Sequence, residues 1–380
     1  MQIDLQRKLF DEISGYINTN TTCLAASEMP HLGSSYIDPE YLAREKDLLR
    51  TLPQIVGHSS SLAEPNSYIA HNDTGVPILV VRQADGSLKA FLNICRHRAA
   101  RLCEPGKGKA KLFTCPYHAW TYSPDGKLAG LMREGFPNIS SEQSDLIELP
   151  VEERHGLIWL VGTPGAEIDV AAFLGPLDTE FESFPMTNFV LERDAVIDVD
   201  INWKFVLDGF LEVYHIPKLH TTTIAPWFFG RHSPFEIIGP HSRLVGIRKS
   251  FTSIKDGAFE DSEFLRNIAI NYQVFPNSFF IWQGDHFEIW TSYPGEVPGK
   301  CKVRVQSLCK PEMIGAEFEK RWDRNWSILL GTVEAEDWAM SKEVQASLPH
   351  VPGMQILFGA NEPGMQHFHS ELDKLIEAAR

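Results

Sequence analysis

From Gln54 to Leu160 the chain is written in short apolar runs broken by turn residues. Val76-Pro77-Ile78-Leu79-Val80-Val81, then Asp85-Gly86-Ser87, then Ala90-Phe91-Leu92 predicts a β-hairpin. Ser123-Pro124-Asp125-Gly126-Lys127 predicts a further turn, and Gly156 to Val161 a buried closing strand. Before this region, Leu5 to Tyr16 has helical spacing of apolar positions. After Gly162-Thr163-Pro164-Gly165, which reads as a linker, strands and helices alternate. Ser278 to Trp282 and Phe287 to Tyr293 flank Gln283-Gly284-Asp285 as a hairpin. Cys301 to Cys309 alternates with period two, Val303 and Val305 opposite Lys302 and Arg304. Glu317 to Leu348 reads as one long helix. The expectation is an α+β chain in three parts: an N-terminal helical segment 1–45 packing on the last part, a small all-β domain 46–162, and a larger domain 163–380.

Two clusters interrupt this pattern. Cys95-Arg96-His97 and Cys115-Pro116-Tyr117-His118 give C-x-H, seventeen residues, then C-x-x-H. Each loop offers one thiolate and one imidazole. That suits a Rieske [2Fe–2S] cluster, where two cysteines hold one iron and two histidines the other. The alternative is a structural Cys2His2 zinc site in a non-catalytic protein, but zinc modules usually pair Cys with Cys and His with His.

The surrounding residues, Asn93 to Cys103 and Phe113 to Tyr122, resemble the Rieske non-haem iron oxygenase family. Ala119 stands where many members carry glycine, which leaves all four ligands in place. Cys103 has no partner cysteine in the second loop, so the resemblance is to the oxygenase branch rather than the respiratory one.

A second constellation runs from Asn202-Trp203-Lys204 to His220. Asp208, Glu212 and His215 fall at i, i+4 and i+7, which predicts one helix face, and Pro217 is expected to end or kink that helix so that His220 joins His215. Two histidines and a distant carboxylate make the facial triad of non-haem Fe(II) oxygenases, which leaves positions open for O2 and substrate. The family that the chain resembles often carries an acid eight positions before the glutamine of a Val-Gln pair, which implies Asp337, eight before Gln345, with Glu334 and Glu336 as alternatives.

What the resemblance implies goes further. The larger domain would be an antiparallel sheet gripping a helix (START-like), in a homotrimer where electrons cross from the cluster of one subunit to the iron of the next. Glu212, an aspartate in many members and a glutamate in carnitine-type oxygenases, would bridge across the interface to His118 or His97. Asp208, one turn before Glu212 by its own spacing, would either orient ligands from behind or serve structurally at its helix. No G-x-G-x-x-G follows a strand, so NAD(P)H would act through a separate reductase, with or without a ferredoxin. The expected reaction is monooxygenation, as hydroxylation or oxidative dealkylation, of a small aromatic or quaternary ammonium-like substrate. The alternative is the α subunit of an aromatic-ring cis-dihydroxylating dioxygenase with a small β subunit. Trp227-Phe228-Phe229 and the aromatic-rich stretch Phe275 to Trp290 are read first as core and second as an aromatic cage for a cation.

Composition narrows the partners. A net charge of −15 argues against nucleic acid, which needs clustered Lys and Arg. The start of the chain lacks the apolar core of a signal peptide, and no apolar run is long enough to span a membrane. Six cysteines, two of them cluster ligands, fit a reducing cytoplasm better than a disulfide framework.

Overall fold

The apolar run after Val76 becomes the strand Ile78–Arg82, every residue of it buried. Successive side chains of a strand point to opposite faces. Ile78 and Val80 therefore enter one hydrophobic cluster with Val56, Ile69, Ile158 and Leu160. Leu79 and Val81 enter another with Phe91, Phe113, Trp120 and Tyr122. A strand sandwiched between two cores has no polar face, which is why Ile78 to Val81 is continuously apolar, and Arg82 at its end is paired with Glu153. The hairpin partner is Leu88–Leu92, reached through a turn in which Gly86 takes φ 87° and Gln83 N–H donates to Ser87 O at 2.8 Å.

This computed structural model describes residues 1–254 and 261–378. The chain forms two compact units, Lys46–Phe173 and the combination of Met1–Glu45 with Leu174–Arg380. The residues expected to form a linker, Gly162 to Gly165, lie inside the first of these. That unit holds a five-stranded sheet ordered Glu148–Leu149, Leu88–Leu92, Ile78–Arg82, Ser67–His71, Gly106–Lys109. Two three-stranded sheets complete it.

In the larger unit, seven antiparallel strands lie in the order Val190–Val199, Cys301–Cys309, Phe287–Pro294, Ser278–Trp282, Ile268–Val274, His241–Ile247, Phe235–Ile238. The Ser278–Trp282 hairpin with Phe287–Pro294 is as the pattern predicted. Cys301–Cys309 is a strand, but only Lys302 is exposed. The predicted polar face is covered because Arg304 is buried and paired with Asp194 at 2.8 and 2.9 Å. Helix Trp203–Asp208 packs on Phe287–Pro294 and Cys301–Cys309, with Ser292 Oγ donating to Trp203 O at 2.9 Å. The long C-terminal helix is interrupted: Ala316–Thr332 gives way to a π-turn over Val333–Asp337, and helix resumes at Trp338–Ser347. Among the described residues no helix is long and apolar enough to cross a membrane.

The Asn202-Trp203-Lys204 signature ties the N-terminal segment to this unit. Asn202 caps the helix, accepting from Lys204 N–H at 3.0 Å, and its amide donates to Tyr36 O at 3.0 Å. Trp203 Nε1 and Lys204 Nζ both reach Glu45, at 2.9 and 2.5 Å, with Lys204 and Glu45 fully buried.

Candidate metal centres

The two Cys/His loops share one backbone design. Ala99 N–H donates to Cys95 O, and Cys95 N–H to Ala100 O. In the second loop Ala119 N–H donates to Cys115 O, and Cys115 N–H to Trp120 O. Ala99 and Ala119 both sit at φ 57°, in the left-handed region that favours glycine. Asn93 staples the first loop, accepting from Cys103 N–H at 3.0 Å and donating to Cys103 O at 2.8 Å.

Both thiols are buried. The His97 and His118 ring centroids are 4.5 Å apart, and His97 stacks on Trp120 at 5.1 Å. Burial pushes the Cys95 thiol pKa up, with Cys115 beside it, and the loss of water and the neighbouring His118 push His97 down. His97 Nδ1 is buried with no hydrogen-bond partner. A buried lone pair without a donor, beside paired thiols, fits metal ligation. Cys103 stays outside this set as a half-buried thiol, raised by burial to about 11.

In the larger unit, the predicted single helix bearing Asp208, Glu212 and His215 does not form. The helix ends at Asp208 with Gly209 as its cap. Glu212 then uses its carboxylate to accept from Tyr214 N–H and His215 N–H, so those donors are lost to a continuing helix. Asp208 turns into the core, accepting from Tyr36 O–H at 2.7 Å and lying 2.9 Å from His369 Nε2. Pro217 opens the short helix Ile216–Leu219, its first-turn position needing no N–H donor, rather than ending a helix.

The outcome is nevertheless a convergent site. His215 Nε2 and His220 Nε2 lie 3.1 Å apart, and Asp337 Oδ1 lies 3.5 and 3.3 Å from them. The His215, His220 and Asp337 ligand atoms all fall within 4.8 Å of one another. Of the alternative acids, Glu334 is exposed, while Glu336 Oε2 sits 2.5 Å from His220 Nδ1 and accepts from Thr223 Oγ1 at 2.7 Å. Glu212 Oε1 pairs with His215 Nδ1 in the same way. Each imidazole is thus held by a carboxylate at Nδ1 and presents Nε2 to a common point, and such a partner fixes the tautomer and orientation of a metal-ligating histidine. Burial works against a charged His220, but Asp337 and Glu336 outweigh it and hold its pKa above the usual histidine range. Two imidazole lone pairs and one carboxylate oxygen converging on a common point fit a divalent ion.

These residues open on a cavity of about 450 Å³. Phe210, Trp227 and Phe228 line it, with Asn271, Ile281 and Glu288 from neighbouring strands; Ile281 pairs with both Asn271 and Glu288, so all three share a face. Most of the Phe275 to Trp290 aromatics, Phe279, Phe280, Trp282, Phe287 and Trp290, are core. A charged wall of Arg248, Asp285, His286, Glu288 and Arg321 carried no sequence signal, because these residues meet only through sheet register and helix packing.

Residues 186–378 match the ring hydroxylating alpha subunit (catalytic domain) family, and residues 53–136 match the Rieske [2Fe-2S] domain. The carnitine monooxygenase oxygenase subunit of Acinetobacter baumannii is 34% identical over 192 residues, 49% of this chain and 51% of that one. The glycine betaine monooxygenase oxygenase subunit of Pseudomonas aeruginosa is 36% identical over 146 residues, 38% and 33% of the two chains. The chain thus spans about half the length of the first relatives it matches. The crystal structure of a quaternary ammonium Rieske monooxygenase with L-carnitine superposes with TM-score 0.76 at 21% identity, covering 92% of this chain and 95% of that one, which establishes the fold.

Proposed function

Because the chain belongs to the ring-hydroxylating alpha-subunit family, we propose that it is the terminal oxygenase component of a multicomponent Rieske monooxygenase. On this reading Cys95, His97, Cys115 and His118 hold the [2Fe–2S] cluster, and His215, His220 and Asp337 hold a mononuclear iron. When bound, the cluster passes single electrons and the iron activates O2 beside the substrate. Glu212 and Glu336 keep the Nδ1 proton of His215 and His220 in place, so that each Nε2 lone pair stays free for the metal. Asp208 holds the end of the preceding helix through Tyr36 and His369. Residues 1–45 belong with the catalytic part.

The observation that carries the reading is the coincidence, in one chain, of a His97 Nδ1 orphaned beside paired thiols and a separate His215/His220/Asp337 triad. A structural zinc module has no use for the second. Electrons come from NAD(P)H through a separate reductase, with or without a ferredoxin. The working assembly is a homotrimer, with Glu212 at the interface between neighbouring subunits. The substrate class favoured is quaternary ammonium, supported by the carnitine and glycine betaine monooxygenase relatives and by Phe210, Trp227 and Phe228 lining the cavity. The charged wall disfavours an aromatic hydrocarbon, which would set Arg248 and the ion-paired residues beside it against apolar surface.

Iron, zinc and acid-labile sulfide are counted on anaerobically purified protein. About three irons and two sulfides per chain are expected from the two sites. A colourless protein with one zinc and no sulfide rejects the proposal. His215→Ala should keep the visible cluster spectrum and lose product, and a wild-type rate in that variant removes the iron assignment. Glu212→Gln should keep the cluster, weaken iron binding through the lost carboxylate at His215 Nδ1, and lose most coupled turnover even when iron is resupplied.

A further inference from the structure

Arg248 lies just past the strand His241–Ile247 and lines the catalytic cavity. Its guanidinium is held from two sides. Nη2 donates to Gln283 Oε1 at 2.9 Å, and Cζ stands 4.7 Å from the Phe228 ring centroid. Its Nε is buried and has no hydrogen-bond partner. Burial pulls its pKa below the usual arginine value, though arginine remains charged.

The other charges of this wall pair with one another, although Glu288 and Asp285 also act on Arg248 through space without touching it. Asp285 is paired with His286 Nδ1 at 2.7 Å and with Arg321. Glu288 faces His286 Nε2 at 3.5 Å and accepts from Gln283 Nε2 at 3.2 Å. With His286 protonated, two cations and two carboxylates cancel. Arg248 remains as the cation of the wall that makes no ion pair within 4 Å among the described residues.

A desolvated N–H without an acceptor is costly, and the guanidinium fork matches the two oxygens of a carboxylate. The Phe228 ring covers one side of the guanidinium and leaves an anion to meet it from another. We infer that Arg248 is the receptor for an anionic group of the substrate, most simply a carboxylate, and so selects substrates by charge within the cavity that His215, His220 and Asp337 line. The inference rests on the oxygenase reading, which makes that cavity the substrate site. Arg248 is a specificity-determining residue here rather than a catalytic one.

The test is calorimetric binding to the purified full chain, which needs no turnover. Two pairs of probes each contrast a carboxylate with a neutral-ended analogue: glycine betaine with choline, and benzoate with benzamide. Wild type should prefer the carboxylate of at least one pair by tenfold or more, on the order of one hydrogen-bonded charge pair. Arg248→Gln should erase that preference while leaving the neutral partners' affinity unchanged. Arg248→Lys, which keeps the charge and loses the fork, should retain part of it and serves where Arg248→Gln fails to fold. A preference confined to the benzoate pair keeps the Arg248 role and removes the ammonium substrate class. No preference for either carboxylate in wild type, or a full preference surviving in the variants, overturns the inference.

Discussion

Glu336 Oε2 lies 2.5 Å from Nδ1 of His220, on the ring edge away from the triad. The next residue, Asp337, faces Nε2 of the same ring at 3.3 Å. Adjacent acids thus grip opposite edges of one imidazole. The π-turn over Val333–Asp337 is where the backbone makes this possible, and such turns recur at functional sites.

Removing the negative charge at Nδ1 without changing its shape should loosen metal binding. Glu336→Gln is expected to weaken iron affinity by about 10–100-fold while leaving the cluster spectrum intact. Iron titration of protein stripped only of its mononuclear iron, with the visible cluster band recorded on the same sample, reads both. Wild-type affinity would leave Glu336 a bystander.

Ala119 occupies a left-handed position at φ 57°. Glycine there removes a strain of about 1 kcal/mol. Ala119→Gly should raise the melting temperature of the holo-protein without altering the four ligands, as read by thermal unfolding followed at the cluster absorbance. A lowered melting temperature contradicts the backbone argument.

Lys204 and Glu45 are fully buried and hold helix Trp203–Asp208 to the N-terminal segment. Lys204→Met strands the Glu45 carboxylate, whose pKa burial already raises. The expected loss is about 3–5 kcal/mol, seen as a lower denaturant midpoint. Adding Glu45→Leu should restore much of it. A single variant as stable as wild type would show that the pair contributes nothing.

His286 is pushed up to about 9: burial opposes its charge, and Asp285 and Glu288 outweigh it. A raised folded pKa means stabilisation that is complete below the unfolded value, about 6.5, and lost as pH climbs through about 9. The stability gap between wild type and His286→Gln should therefore be roughly 2–3 kcal/mol near pH 6 and shrink towards pH 10. A gap independent of pH would mean that the His286 proton is not what stabilises the wall.

Much of the β architecture was legible because its signals are local. The Val76 to Leu92 hairpin follows from apolar runs and a turn glycine, and the strand Ser278–Trp282 from its neighbour across Gly284. The helix face proposed for Asp208, Glu212 and His215 was not, because side-chain capping by Glu212 competes with helical hydrogen bonds and spacing alone cannot weigh that competition.

By itself the sequence determined which residues are chemically able to serve: two Cys/His loops whose few residues fix their own backbone, and a histidine pair only five residues apart. Tertiary structure decided what those residues face. Glu336 reaches His220 across 116 positions of chain, and Tyr36 and His369 claim Asp208 across 172 and 161. Arg248 meets Gln283 only because the sheet brings their strand ends together. Local spacing fixes short-range geometry through backbone stereochemistry. Which of several equivalent acids lands on a given nitrogen depends on sheet register and helix packing, and those are set by burial over the whole unit.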